Sequence, residues 1–477
     1  MPEGERFLPN DSPLAYLVPE AKVAVPLTPV SPSELSTRFD SLGAQAKSWI
    51  ESTGFKAEPG SFALLPDSNG KLARVLAGAS KEGSPGNNGL WDLAGLPSAL
   101  PEGIYALDGV NDREKATRMA LGWALGCYAF ARYKKPKRDF AKLVWPQNAD
   151  RGKVERLAKG HALARDLINT PAEEMGPAEL QTAAEELARN HQAACRTIIG
   201  DDLLKQNYPT IHAVGRASSR APRLIDIVWG NPSAPKVTLV GKGVCFDTGG
   251  LDLKTAAGMR LMKKDMGGAA TVLGLAGAIM DAGLPVRLRV LIPAVDNAVA
   301  GNAMRPMDVI RTRKGISVEV GDTDAEGRLI LCDALAEAAS EKPDLIIDLA
   351  TLTGAARVAL GPELPALFAS DEELAADIVE AGKRESDPLW RLPLWRPYRE
   401  MLKSNIADIN NVSDSSFAGA ITAALYLAEF VPHDTKWAHI DTYAWNQKTR
   451  PGRPEGGEAL CLRALYAMIE ARFGGKR

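Results

Sequence analysis

The chain is poor in cysteine and histidine and has no long apolar run. Its 477 residues hold five cysteines (Cys127, Cys195, Cys245, Cys332, Cys461), none in a C-x-x-C pair. That is too few and too scattered for a disulfide framework, and a reducing cytoplasm is the expected compartment. The five histidines (His161, His191, His212, His433, His439) have no ligand-type spacing, so each is expected to be structural or on the surface, His439 in WAHID being the least secure. Apolar stretches such as Leu345 to Leu352 are broken by Asp or Thr well short of a bilayer span, and the start MPEGERFLPNDSP lacks a signal-peptide pattern. No membrane partner is expected. A surplus of one charge sign is missing too: 57 Lys and Arg against 59 Asp and Glu leave −2, which draws neither nucleic acid nor an anionic surface. No P-loop, G-x-G-x-x-G turn, H-E-x-x-H, G-x-S-x-G elbow or internal repeat is present, so those enzyme classes recede.

What remains is a globular composition, 45% hydrophobic and 24% charged, with 43 Gly and 32 Pro, long enough for two or three domains. Seven prolines in the first 32 residues favour an extended, strand-and-turn entry. Helical spacing is read at Ser36 to Glu51 and Arg113 to Tyr133, and turn chemistry at Ser84 to Asn88. Residues 1–150 are taken as a first, smaller α/β domain, 151–172 as a connecting helix ended by Thr170-Pro171, and 173–477 as the larger domain. There, apolar runs at 224–229, 237–241, 286–292, 344–350 and 437–441 alternate with helical stretches around 267–283, 327–341, 418–430 and 458–473. The pattern predicts a mostly parallel sheet covered on both faces, with ligands at the carboxyl ends of its strands.

Two segments carry candidate chemistry. The first, residues 240–274, sets Lys242, Asp247, Lys254 and Asp265 among glycines that let backbone approach a bound group. The second, residues 320–335, places Asp324 and Glu326 two apart, able to converge if extended, with Arg328 at a helix entrance. If Asp247, Asp265, Asp324 and Glu326 meet, each pair at about 4 Å costs roughly 4 kcal/mol at an effective dielectric of 20. Two divalent cations would cancel the four charges; two lysines and Arg328 could instead balance most of them as a salt-bridge network. The dimetal reading is preferred because it also accounts for the glycines. An oxygen-rich set without His or Cys suits Mn²⁺, Mg²⁺ or Zn²⁺, and hydrolysis is the natural chemistry. Cys332 reads as a buried small hydrophobe, Cys245 as unsupported for redox work, and Met259, Met262 and Met266 as either pocket lining or core filler.

These segments resemble the cytosolic leucyl aminopeptidase family. TDAEGRL at 323–329, VGKGVCFDTGG at 240–250, Lys254 and MKKDMGGAA at 262–270 match its site segments in order and spacing; DLATLTGA at 348–355 and AGAITAALYL at 418–427 look like further family blocks. The resemblance implies an N-terminal macro-like α/β domain, a C-terminal zinc-peptidase-type α/β/α sandwich, and a homohexamer. It implies two metal ions, Mn²⁺ or Zn²⁺, one held by Asp247, Asp324 and Glu326, the other by Lys242, Asp247, Asp265 and Glu326. It further implies release of leucine and similar apolar residues from peptide N-termini by attack of a metal-bridging water. Lys254 would polarise the carbonyl, Arg328 with Leu352 would hold a bicarbonate ion as general base, and Met262, Thr351 and Gly354 would form the first side chain's pocket.

Three departures from the family pattern stand out. Asp322 replaces an Asn, Thr255 replaces a Pro and is expected to loosen its loop, and HIDTYAWN at 439–446 replaces a longer stretch. The competing readings are a dipeptidase or Cys-Gly hydrolase using the same centre, a phosphate-ester hydrolase, and a non-catalytic or DNA-associated scaffold.

Overall fold

Burial alternates along the central strands, and that alternation builds the layers. In strand Arg287–Asn297, Leu288, Val290, Ile292 and Ala294 enter one core while Leu291 and Val295 enter another on the opposite face. In Leu345–Ala350 the odd residues Leu345, Ile347 and Leu349 join the first core and Ile346 and Ala350 the second. Helices Arg151–Asn169, Pro177–Asn190, Gly267–Asp281 and Leu462–Phe473 cover the first face; Glu326–Ser340 and Gly419–Ala428 cover the second. The result is an α/β/α sandwich. The computed structural model describes residues 13–81, 88–135 and 138–475.

The large sheet runs Trp390–Arg391, Ala366–Ala369, Trp437–Asp441, Leu345–Ala350, Lys236–Gly241, Arg287–Asn297, Arg223–Trp229, Ala194–Ile199, with Gly243–Asp247 pairing the far half of Arg287–Asn297. Its four middle strands are parallel. Both flanks turn antiparallel, at Arg223–Trp229 and at Ala366–Ala369. The smaller domain has a six-stranded sheet, parallel except for the hairpin Phe62–Pro66 with Leu72–Gly78.

Local differences from the sequence reading have local causes. The single helix read at Ser36 to Glu51 is two, Pro32–Ser41 and Ala44–Thr53, parted at Gly43. The helix read to Tyr133 ends at Gly126, which frees Tyr128 to donate to Asp166 Oδ1 at 2.6 Å. The turn read at 84–88 falls almost wholly outside the described residues.

Helices Arg151–Asn169 and Gly267–Asp281 touch backbone to backbone at Gly160 and Gly274. A Cβ on Gly274 would stand 2.4 Å from the Gly160 carbonyl oxygen. Alanine there gains up to about 1 kcal/mol of helix propensity, but forcing the helices apart costs on the order of 1–3 kcal/mol. Gly274→Ala is therefore expected to lower the thermal midpoint; an unchanged midpoint would mean the two helices separate freely.

The same long helix carries His161 and Arg165 into the interior, where Arg165 pairs with Glu458 at 2.9 Å and His161 Nε2 meets Arg463 at 2.9 Å. Burial, helped by the Arg463 and Arg165 charges, pushes the His161 imidazole down to about 4. The folded protein thus refuses a proton that the unfolded chain accepts near pH 6.5. Stability should fall as pH drops from 6.5 towards 4, by roughly 3 kcal/mol from this group. Denaturation midpoints measured across that range should show the slope, and His161→Gln should flatten it.

Candidate metal centre

Neighbouring strands end side by side, and the residues at their carboxyl ends build the site. Lys242 follows Lys236–Gly241, Thr351 follows Leu345–Ala350, and Asp247 and Asp441 close Gly243–Asp247 and Trp437–Asp441. Asp265 comes from the tight turn Met262–Met266 just before helix Gly267–Asp281, and Glu326 opens helix Glu326–Ser340. Carboxylate oxygens of Asp247, Asp265 and Glu326 all lie within 4.8 Å of one another, and the three residues are buried. Asp324 stands at the edge of this cluster with 32% of its side chain exposed.

Two lysines interleave the acids. Lys242 Nζ lies 2.8 Å from Asp265 Oδ2 and 2.9 Å from Glu326 Oε1, and it donates to the Thr351 carbonyl at 3.0 Å. Gly327 makes this approach possible, because a Cβ there would sit 2.7 Å from the Lys242 Nζ. Lys254 Nζ lies 2.8 Å from Asp247 Oδ2 and also pairs with Asp324 Oδ1. Burial alone would depress both ammonium groups, but the carboxylates outweigh it and hold both well above the usual lysine range. Burial and then the Asp247 charge push the Asp324 carboxyl up to about 6 and that of Glu326 well above its ordinary value.

These lysines do not complete the site. With all four carboxylates ionised, two ammonium groups would leave two negative charges, and this repulsion adds to burial in holding the Asp324 and Glu326 carboxyls above their ordinary values; Arg328 does not supply the balance, since its Nη1 donates to the Asn411 carbonyl. Asp265 Oδ2, Asp324 Oδ1 and Glu326 Oε1 are buried and meet only lysine ammonium groups, and Glu326 Oε2 is buried with no partner among the described residues. Buried acceptors of this kind cost about 1–3 kcal/mol each when unmet. Hard oxygen donors in excess, held apart by fixed backbone, are what small divalent cations require. The residues present fit a metal centre.

Supporting groups fix the acids in place. Asn297 Nδ2 and the Gly249 amide both donate to Asp247 Oδ1 at 2.9 Å, and Thr351 Oγ1 donates to Asp265 Oδ1 at 2.7 Å. A cavity of about 400 Å³ opens beside the cluster, lined by Met262, Thr351, Leu352 and Gly354 as well as Lys254 and Asp324. Arg328 lines a different cavity, with Asp252, Asp322, Ser413 and Thr422. Asp322 turns inward and accepts from the Asp324 amide at 2.7 Å. The Thr255 hydroxyl accepts from the Gly258 amide and caps the helical turn Ala256–Met259.

The remaining candidates are structural. His439 is buried, with Nδ1 2.6 Å from Asp348 Oδ1. Cys332 is buried and its Sγ contacts the Leu329 carbonyl at 3.0 Å; Cys245 is buried too, and burial pushes its thiol well up. Met266 is core. Sequence reasoning passed over Asn297, an ordinary Asn at the end of an 11-residue strand, and Asp441, whose Oδ1 accepts from the Leu352 amide at 2.9 Å. It also passed over Lys264, Arg357 and Tyr443 in the cavity wall.

Residues 162–466 match the cytosol aminopeptidase family, catalytic domain, and residues 25–146 match the M17 aminopeptidase, N-terminal domain. Peptidase B of Enterobacter sp. (strain 638) is 42% identical over 380 residues, 76% of this chain and 88% of that protein. The crystal structure of cytosol aminopeptidase from Coxiella burnetii superposes with a TM-score of 0.92 at 50% identity, covering 96% of this chain and 99% of that one. The bottromycin maturation enzyme BotP, solved in complex with Mn, gives a TM-score of 0.84 at 32% identity over 94% and 99%. With both domains matched and the acids gathered where the parallel strands end, the chain belongs to the M17 cytosol aminopeptidase family of dimetal-dependent exopeptidases.

Proposed function

We propose that the protein removes the first residue from peptides in the cytoplasm, with Mn²⁺ or Zn²⁺ held by Lys242, Asp247, Asp265, Asp324 and Glu326. The observation that carries this is the buried trio Asp247, Asp265 and Glu326, its carboxylate oxygens within 4.8 Å of one another, beside a cavity large enough for a substrate end. Bound there, two divalent ions supply Lewis acidity and lower the pKa of water from 15.7 towards about 7.

The chain's own groups do the rest. Asn297 and Gly249 hold Asp247, and Thr351 holds Asp265, so the acids keep their aim while charge changes around them. Lys254, on the cavity wall, is placed to donate to the scissile carbonyl oxygen and steady the oxyanion as it forms. Met262, Thr351 and Gly354 receive the first side chain. Bicarbonate shared by Arg328 and Leu352, which line separate cavities, would require the guanidinium to leave the Asn411 carbonyl. A homohexamer is the assembly the family resemblance supports.

A dipeptidase or Cys-Gly hydrolase would use the same groups on shorter substrates. Purified protein assayed on leucine p-nitroanilide and p-nitrophenyl phosphate, with Mn²⁺ and then with chelator, tests the reading. Chelator-sensitive anilide cleavage is expected; phosphate-ester cleavage alone, or no turnover of either, would overturn it.

A further inference from the structure

The candidate metal ligands are not held equally. Asn297 and Gly249 brace Asp247, and Thr351 braces Asp265. Glu326 opens a helix whose next turn, Leu329, Ile330 and Leu331, is fully buried, so packing fixes it. Asp324 differs: the segment 320–325 that carries it lies between strand Ser317–Glu319 and helix Glu326–Ser340 and belongs to neither. Where that carboxylate stands depends on where this stretch of backbone runs.

A residue distant in sequence holds the stretch. Asn411 is fully buried; its Oδ1 accepts from the Gly321 amide at 2.8 Å and the Asp322 amide at 3.3 Å, and its Nδ2 donates to the Asp322 carbonyl at 2.8 Å and the Ala325 carbonyl at 3.3 Å. A carboxamide has two acceptor sites and two donors, and all four are spent within five residues. The reversed amide would set N–H against N–H and oxygen against oxygen. The Asp324 amide in turn donates to Asp322 Oδ1 at 2.7 Å, so Asp324 follows the clamped backbone.

The short sheet outside the main one delivers this side chain. Strand Ile409–Asn410 pairs in parallel with Ser317–Glu319, and the Asn411 amide extends the pairing to the Glu319 carbonyl at 3.0 Å. Gly321 permits the close passage, since a Cβ there would collide with the Asn410 side chain. Thr323 adds a tie on the other side, where its Oγ1 donates to the Gly249 carbonyl at 2.6 Å and its amide donates to Asp252 Oδ2 at 2.8 Å.

We infer that Asn411 is a positioning residue of the metal centre: by clamping the backbone on both sides of Asp324, it sets that carboxylate's place and the affinity for the ion Asp324 touches. The inference rests on the metal-centre reading above. Asn411 is not part of the cavity wall and acts through the chain it holds. Arg328 bonds the Asn411 carbonyl, which every substitution keeps, so side-chain variants address the four amide bonds alone.

Calorimetric titration of metal-stripped, full-length protein with Mn²⁺ tests this. Asp324→Ala identifies the ion that depends on Asp324, as the one whose dissociation constant it raises most. Asn411→Ala is expected to raise the dissociation constant of that same ion by about 10–100-fold and to leave the other nearly unchanged. Asn411→Ser, which keeps a hydroxyl at the clamp and perturbs folding less, should do the same to a smaller extent. Amide hydrogen exchange in the metal-free variants should quicken across residues 320–325 and not across 262–266. Gly274→Ala, which strains the core elsewhere, should lower the melting midpoint and move neither constant, so lost stability alone does not give this pattern. Unchanged constants in the serine variant, or equal weakening of both ions, would overturn the inference; equal weakening would make Asn411 a general prop of the fold. A parent that binds no pair of Mn²⁺ ions sinks the metal-centre reading with it, whereas two ions bound by the parent and undisturbed in the variants sink this inference alone.

Discussion

Replacing Glu326 with alanine is expected to lower kcat/KM by about a thousandfold or more, equivalent to roughly 4 kcal/mol of lost transition-state stabilisation. Glu326 is buried at the centre of the trio; its Oε1 meets only the Lys242 ammonium, and its Oε2 has no partner among the described residues. A metal-free protein gains little from such a group. Its removal relieves repulsion from Asp247 and Asp265, against which stand a small cavity and the loss of one of the two carboxylates paired with Lys242, effects of opposite sign and of about 1–3 kcal/mol each. The metal-free variant should therefore melt near the parent. The rise in melting temperature on adding Mn²⁺ should shrink, since a ligand at a hundred times its Kd stabilises by about 2.7 kcal/mol only where the site is intact. Full activity in Glu326→Ala, or an undiminished Mn²⁺ response, would mean the carboxylates serve another purpose.

The second large effect is expected at Lys254. Its Nζ joins Asp247 to Asp324 at the cavity wall, while Lys242 lies deeper, between Asp265 and Glu326. Lys254→Met should cost about 10²–10³ in kcat, the usual loss for one donor to a developing oxyanion. Metal content should be retained, because the substitution removes a competing cation and no carboxylate. Steady-state kinetics and metal analysis on the same preparation decide the point. A fall in kcat that follows metal loss would make Lys254 a residue of site assembly.

The two lysines divide the alternatives left open by the sequence. A pure salt-bridge network would need Arg328 as a third cation, yet its guanidinium faces the Asn411 carbonyl and a separate cavity. The residual charge and the unmet oxygens then fall to metal ions.

Much of this was legible before the fold was known, for identifiable reasons. Lys242, Asp247 and Asp265 stand out because charges among glycines at strand ends are rare in ordinary surface sequence. Asp324 and Glu326 were readable as a pair, but as neighbours on an extended chain. In the fold Glu326 is the first residue of a helix and lies inside the trio, while Asp324 remains at its rim. Strand direction was less accessible: apolar runs mark Arg223–Trp229 as a strand but carry no sign of its antiparallel pairing with Arg287–Asn297. Asn297 and Asn411 were invisible for another reason. Each is a common residue whose significance lies wholly in what a distant segment brings beside it, Asp247 in one case and the backbone around Asp324 in the other.

The most direct measurement is anomalous diffraction from a crystal grown with Mn²⁺. Two peaks per chain are predicted among Lys242, Asp247, Asp265, Asp324 and Glu326, with Asp247 and Glu326 touching both ions. Density that shows the lysines still bridging these carboxylates, with manganese absent or bound elsewhere on the surface, would contradict the account.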